Sequence, residues 1–296
     1  MYYELKGVNN IMCTVLSIIN MKGGVGKTTL SIGIADTLSD KGYKILLIDA
    51  DPQFNATQAM IDEYKSQNTD DYYTNEILNK RLTIHRLFAP QVTMEYTYTT
   101  PNADDLVINL KKNLDMLCGD LSLVLVNKSN DHSIAIRLLN FIEDNNLRNK
   151  YDYIIIDCPP TLTIYTDSAL IASDYYLIPN RIDRYSIIGI TSLQRAINNL
   201  ITSERISLKC IGLVYTMVDA GISKKQQQLR ENFESQKAVN DIDIFDAEST
   251  IVKDIQVGKA GPLPTKYKKS REDIEAISLE LLQRISEQTG GEKHVY

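Results

Sequence analysis

Three short stretches of this sequence have residue types and spacing suited to phosphate and a divalent cation. The first is "IINMKGGVGKTTL", residues 18–30. Gly23, Gly24 and Gly26, with Val25 among them, let backbone N–H groups approach a phosphate chain, and a helix starting just after them adds a positive field. Lys27 can reach the β and γ phosphates of a nucleotide, Thr28 can offer its hydroxyl to Mg²⁺, and Thr29 can support the α phosphate. The usual spacing, G-x-x-x-x-G-K-[ST], asks for glycine five places before Gly26. Met21 stands there instead, followed by a second cation, Lys22. The second stretch is "YKILLIDAD", residues 43–51, an apolar run ending in Asp49 and Asp51. The third is "YDYIIIDCPP", residues 151–160, ending its apolar run in Asp157. A carboxylate in that place suits Mg²⁺, held through water because the ion keeps much of its hydration shell.

Such residues need elements to hold them. Short apolar runs recur along the chain: 15–20, 43–51, 114–120, 151–160, 174–180, 208–219 and 241–246. Amphipathic stretches such as "SIAIRLLNFIEDNN" (133–146) and "SIIGITSLQRAINNLI" (186–201) lie between them. Strands this apolar, separated by helices, predict a doubly wound α/β fold with a mostly parallel sheet flanked by helices and right-handed crossovers. The irregular region 62–112, rich in Asp, Asn, Thr and Tyr, reads as short helices and loops added to the sheet. One domain over 1–296 is expected, with a short extension at 1–13 and a flexible tail from about 289.

Composition narrows the classes. Hydrophobic residues make up 43% and charged residues 24% of 296, enough for a real core. Four scattered cysteines without a C-x-x-C argue against a disulfide framework or zinc site and suit a reducing cytosol. No signal peptide is expected, and no apolar stretch approaches the ~18 residues of a membrane span. A net charge of -6 argues against broad polyanion binding, so a nucleic-acid contact needs a local basic patch.

"KGGVGKTT" resembles the deviant Walker A loop of the ParA/MinD ATPases. "LLIDADPQFNAT" (46–57) resembles that family's second motif, usually D-x-D-P-Q-G-N-x-T, with Phe54 in place of the glycine. "IIIDCPP" (154–160) resembles its Walker B strand, and "IPNRIDRYSIIGI" the segment that follows in partition ATPases. The likeness runs in order over about 14–285, and is nearest to plasmid-partition ATPases of Gram-positive bacteria. It implies ATP and Mg²⁺ as cofactors and an ATP-dependent sandwich homodimer in which Lys22 reaches the other subunit's phosphates. It also implies that Asp51 positions the attacking water, that Asp49 lies near the metal's outer shell, and that Asn55 faces the partner subunit. Met217 and Asp219 are the candidates for enclosing adenine. An Asp has little general-base strength at pH 7, so turnover should be slow.

Between Lys253 and Arg271 the chain carries Lys253, Lys259, Lys266, Lys268, Lys269 and Arg271 against one acid, Asp254. This matches the region where partition ATPases bind double-stranded DNA without sequence preference. The implied partners are that DNA and a centromere-binding ParB-type protein, in the cytoplasm on the nucleoid. Only about fourteen residues precede the first strand, which leaves no room there for an operator-binding helix-turn-helix. The alternative is a membrane-associated MinD-like positioning ATPase. Against it, the last helix, "REDIEAISLELLQRISEQ", is mainly acidic on its charged face, which should not favour anionic lipid.

Overall fold

The computed structural model describes residues 13–65, 68–89, 98–126, 132–183, 186–219, 221, 223–256 and 258–290. The expected N-terminal extension, except Cys13, and the tail from residue 291 lie outside them. Seven strands form one sheet: β1 (Thr14–Ile18), β2 (Ile45–Asp49), β3 (Ile108–Lys111), β4 (Leu114–Leu117), β5 (Tyr153–Asp157), β6 (Tyr175–Asn180) and β7 (Lys209–Tyr215). Their spatial order is β3-β4-β2-β5-β1-β6-β7. All neighbours are parallel except β3 and β4.

The strands are apolar on both faces because both faces are covered. Along β2, Leu46 and Ile48 join one core cluster with Phe88, Phe141, Tyr165 and Leu193. Ile45 and Leu47 join the other with Leu30, Ile34 and Leu38 of helix α1 (Lys27–Asp40) and Met60 of helix α2 (Asn55–Tyr64). The last helix, Lys268–Gly290, packs on that second face through Ile274, Ile277, Leu281 and Ile285, all buried.

Two elements differ from the sequence-based expectation. The irregular region contains a strand, β3, joined to β4 by a tight turn with Asn113 at φ 64°. Asn tolerates that left-handed geometry, and the hairpin makes an antiparallel edge. The expected strand at 241–246 is reduced to one bridge, Leu213 to Ile244. Arg284 covers that edge: its guanidinium donates to the Ile244 carbonyl at 2.7 Å and stacks 4.1 Å from the Phe245 ring centroid. Arg284 thus meets the Ile211 and Ile244 carbonyls, while the Asp243 carbonyl accepts from the Leu213 amide.

Buried Asp36 ties four parts of the chain together. From α1, its carboxylate accepts hydrogen bonds from Tyr64 at the end of α2, Lys111 of β3 and Thr265. Removing it would leave the Tyr64 and Thr265 hydroxyls without this acceptor and Lys111 with only Asp40 of its two carboxylate partners. Asp36→Ala should therefore cost about 3 kcal/mol in urea unfolding. A loss below ~1 kcal/mol would show that the hub does not hold these elements together.

Candidate functional site

The C-terminal ends of β1, β2, β5, β6 and β7 meet at one end of the sheet. β1 lies where the strand order reverses, with β5 on one side and β6 on the other, and a doubly wound sheet leaves its binding crevice at such a point. The loop after β1 fills it. Gly26 caps α1 at φ 83°, a left-handed conformation that glycine adopts without strain. The loop is braced from both sides. The Thr216 hydroxyl donates to the Val25 carbonyl at 2.7 Å, and the Asn20 amide donates to the Pro179 carbonyl at 2.8 Å.

The two loop lysines behave differently. Lys27 is buried, turned into the loop, and its ammonium donates to the Lys22 carbonyl at 3.1 Å. Burial lowers its pKa, while the charges of Asp157 and Asp51 oppose that shift. Lys22 turns away from the loop and forms an ion pair with Asp183, in the segment after β6. Its stem is half-exposed but its ammonium is covered. Partial burial and the nearby Arg181 lower its pKa.

Asp157 ends β5 and is fully buried. One oxygen accepts from Thr28 at 2.7 Å and the other from Ser31 at 2.9 Å. Burial raises its pKa, and those two hydrogen bonds oppose the rise. Thr28 and Ser31 are three apart on α1, so they share a face, a signal from which Ser31 could have been read in the sequence. Asp157 and Thr28 supply two hard oxygens, a donor set that suits Mg²⁺ when phosphate and water complete it. Among the described residues no group of three or more His, Cys, Asp or Glu could hold a metal by itself.

Asp51 and Asp49 have separate surroundings. Asp51 is close enough to act electrostatically on both Lys27 and Asp157, and one of its oxygens accepts from the Gln53 amide at 2.9 Å. Asp49 is enclosed. It accepts from the Thr57 amide and hydroxyl at 2.8 and 2.7 Å and from the Asp51 amide at 3.2 Å. Burial and the charge of Asp157 raise its pKa. One of its oxygens is taken by Thr57 of α2 and the other by the Asp51 amide, so this geometry makes it a brace for the Asp51 turn rather than an open metal ligand.

Beside the loop is a cavity of about 90 Å³ lined by Gly26, Thr29, Thr216, Met217, Val252 and Ile255, among others. Of the two residues expected to enclose adenine, Met217 lines this cavity and Asp219 does not. Asp219 accepts from Gln226 at 2.6 Å. The far wall runs from Ser249 to Val252, in the loop after residues 241–246, together with Ser270. That wall forms by parallel pairing of Thr250 with Val218, which no local pattern announces.

The basic segment divides in two. Lys266 pairs with Glu63, Lys269 with Asp273 and Lys259 with Asp254. Lys253, Lys268 and Arg271 are exposed and have no salt bridge among the described residues. Lys268, Lys269 and Arg271 occupy the first turn of the last helix, where the helix dipole is already positive.

A family profile described as "AAA domain" matches residues 13–210. The chromosome partitioning protein ParA of Myxococcus xanthus is 33% identical over 217 residues, 73% of this chain and 69% of that protein. The sporulation initiation inhibitor Soj of Bacillus subtilis is 29% identical over 223 residues, 74% and 79% of the two chains. This chain belongs to the ParA/MinD family of P-loop ATPases. Its fold recurs in a plasmid partition protein from Borrelia burgdorferi, with TM-score 0.66, 24% identity, and 92% and 99% of the chains covered. It recurs also in cobyrinic acid a,c-diamide synthase from Mycobacterium smegmatis, with TM-score 0.70, 18% identity, and 92% and 94% covered.

The raised pKa of Asp157 has a pH consequence. Protons compete with a divalent cation for this carboxylate at mildly acidic pH, where an ordinary Asp is still ionised. Cation affinity should therefore fall as pH drops toward the mildly acidic range. Ser31→Ala removes a hydrogen bond that favours the ionised form, so the fall should begin at higher pH. Magnesium titrations of a fluorescent nucleotide complex from pH 5 to 8 would measure this. An unshifted midpoint in Ser31→Ala would show that this bond does not tune Asp157.

Proposed function

We propose that this chain is a DNA-partition ATPase that works as a nucleotide-gated dimer. The observation that carries the reading is the opposite placement of two lysines on one loop. Lys27 is turned into its own loop, whereas Lys22 turns away from it into an ion pair with Asp183, in the segment after β6. A cation so placed can serve a second subunit's phosphates once Asp183 lets it go.

In this reading ATP lies along Gly23–Thr29, with Lys27 on the β and γ phosphates and the base in the cavity beside Met217. Thr28 and Asp157 hold Mg²⁺, which supplies charge neutralisation of the phosphates. Asp51 orients the attacking water. Support for these cofactors comes from the Mycobacterium enzyme, whose structure contains an ATP analogue and magnesium. Dimer closure is supported by apolar exposure at the same end of the sheet. Leu121, Leu162 and Ile188 follow the ends of β4, β5 and β6, and Ile188 is 69% exposed. Two facing nucleotides repel each other, so Lys22 from each side stabilises only the closed state, which links nucleotide to assembly.

The closed dimer binds double-stranded DNA non-specifically through the basic segment, and a centromere-binding ParB-type partner stimulates hydrolysis and release. DNA is favoured over a membrane surface because the apolar stripe of the last helix is buried in the core. Among the described residues no helix is long and apolar enough to cross a membrane.

Closure must break the Lys22–Asp183 pair in both subunits. Partly exposed pairs are worth about 0.2–1 kcal/mol each. Asp183→Asn should therefore raise the ATP-dependent dimerisation constant roughly 2- to 30-fold. Lys22→Ala should bind nucleotide but remain monomeric. Sedimentation with a non-hydrolysable analogue reads both. Normal dimerisation of Lys22→Ala would remove its role across the interface.

The basic segment is tested by salt. Replacing Lys253, Lys268 and Arg271 with Ala should weaken binding to any duplex and flatten the log–log salt slope by about 0.9 per lost phosphate contact. Lys266→Ala should have a smaller effect because Glu63 already neutralises it. DNA co-sedimentation with and without ATP tests the whole reading, with anionic vesicles as the contrasting arm. ATP-dependent capture by vesicles and not by DNA would favour the membrane-positioning alternative.

A further inference from the structure

Phe54 is the one residue in the Asp51 turn that departs from the family motif, and it retains a glycine-like backbone. Its φ and ψ are 42° and 35°, left-handed values that cost any residue with a side chain. Packing must therefore hold it there. The Phe54 ring stacks on the ring of Tyr73, with centroids 4.9 Å apart and planes 12° apart. Tyr73 is itself anchored: it is buried, and its hydroxyl donates to the Gly119 carbonyl at 3.0 Å. Gly119 leaves the space that Phe54 uses. A Cβ there would lie 2.8 Å from the Phe54 Cβ and 3.0 Å from the Asp49 Cγ. The Gly119 amide donates to the Thr57 hydroxyl at 2.8 Å, and that hydroxyl donates to Asp49.

The seat is connected to Asp51 by the shortest possible path. The Phe54 amide donates to the Asp51 carbonyl at 2.8 Å, closing the turn. The Phe54 carbonyl accepts from Gln58 at 3.0 Å, starting α2. A glycine at this position could reach the same geometry but would be free to leave it. A phenyl ring clamped on Tyr73 and fitted against Gly119 holds the turn in one geometry.

We infer that Phe54 is a positioning residue for Asp51. Its ring, seated on Tyr73 from the region added between α2 and β3, sets the heading of the Asp51 carboxylate before nucleotide arrives. This rests on the reading of Asp51 as the group that orients water. It assigns that added region a part in hydrolysis, and it accounts for the one departure from the motif. Orientation acts on the chemical step and not on nucleotide binding, because neither ring lines the phosphate loop or the base cavity.

Phe54→Gly is the direct test, since it removes the ring while relieving the backbone strain, so the fold should survive. We expect kcat to fall about tenfold while ATP affinity and ATP-dependent dimerisation stay within about twofold. Tyr73→Ala should reproduce the loss, and Tyr73→Phe, which keeps the stack, should retain most of the rate. Adding Phe54→Gly to Asp51→Ala should cause no further loss, because the two act through one group. A wild-type kcat in Phe54→Gly overturns the inference, as does a fall in kcat matched by an equal loss of ATP affinity. Asp51→Ala measured alone separates the two readings. Full activity there removes the role of Asp51 and with it that of Phe54. An inactive Asp51→Ala beside a fully active Phe54→Gly removes only that of Phe54.

Discussion

Buried charge at the end of a dry sheet is the constraint on which the rest of this structure depends. Asp49, Asp157 and Lys27 are all buried within one cluster of strand ends. Isolated charges there would be costly. Each is compensated by short-range partners: Thr28 and Ser31 for Asp157, Thr57 and the Asp51 amide for Asp49, and the Lys22 carbonyl for Lys27. The side-chain partners come from the starts of α1 and α2, and the backbone partners from the two loops that precede them. The two helices are consequently fixed at the ends where nucleotide chemistry would occur, and the phosphate loop and the Asp51 turn are held by the same network.

The far ends of those helices reach the basic segment. α1 contributes Asp36, which accepts from Thr265, and α2 contributes Glu63, which pairs with Lys266. On the other side, buried Asp273 accepts from the Thr250 amide in the cavity wall and from Lys269. Val252 and Ile255 line the cavity while Lys253, between them in sequence, is exposed. One layer of chain thus has an inner face toward the candidate base site and an outer face of cations. In the proposed function this places the nucleotide and the DNA on two sides of a thin, well-anchored wall.

The local chemistry was legible in the sequence because it depends on residues a few positions apart. A glycine loop between a β-branched run and a helix has a backbone geometry set largely by its own residues, and the observed loop, β1 and α1 follow that reading. Asp157 at a strand end follows in the same way, from an apolar run that stops at a polar residue. Phe54 stood out as a departure, but its meaning did not, since Tyr73 and Gly119 lie 19 and 65 positions away.

By itself the sequence determined the phosphate loop, the carboxylate strand ends and the alternation of strands and helices, since each is a matter of short-range sterics and periodicity. Only the tertiary structure decided which charges meet. It gave Lys22 its counter-ion 161 positions away, neutralised Lys266 and Lys269 while leaving Lys253, Lys268 and Arg271 exposed, and turned Asp219 toward Gln226. It also met the expected strand at 241–246 with Arg284 and enclosed Asp49. Ion pairing and burial depend on distances of a few ångströms across packed elements, and the order of residues along a chain does not contain those distances until the core has closed.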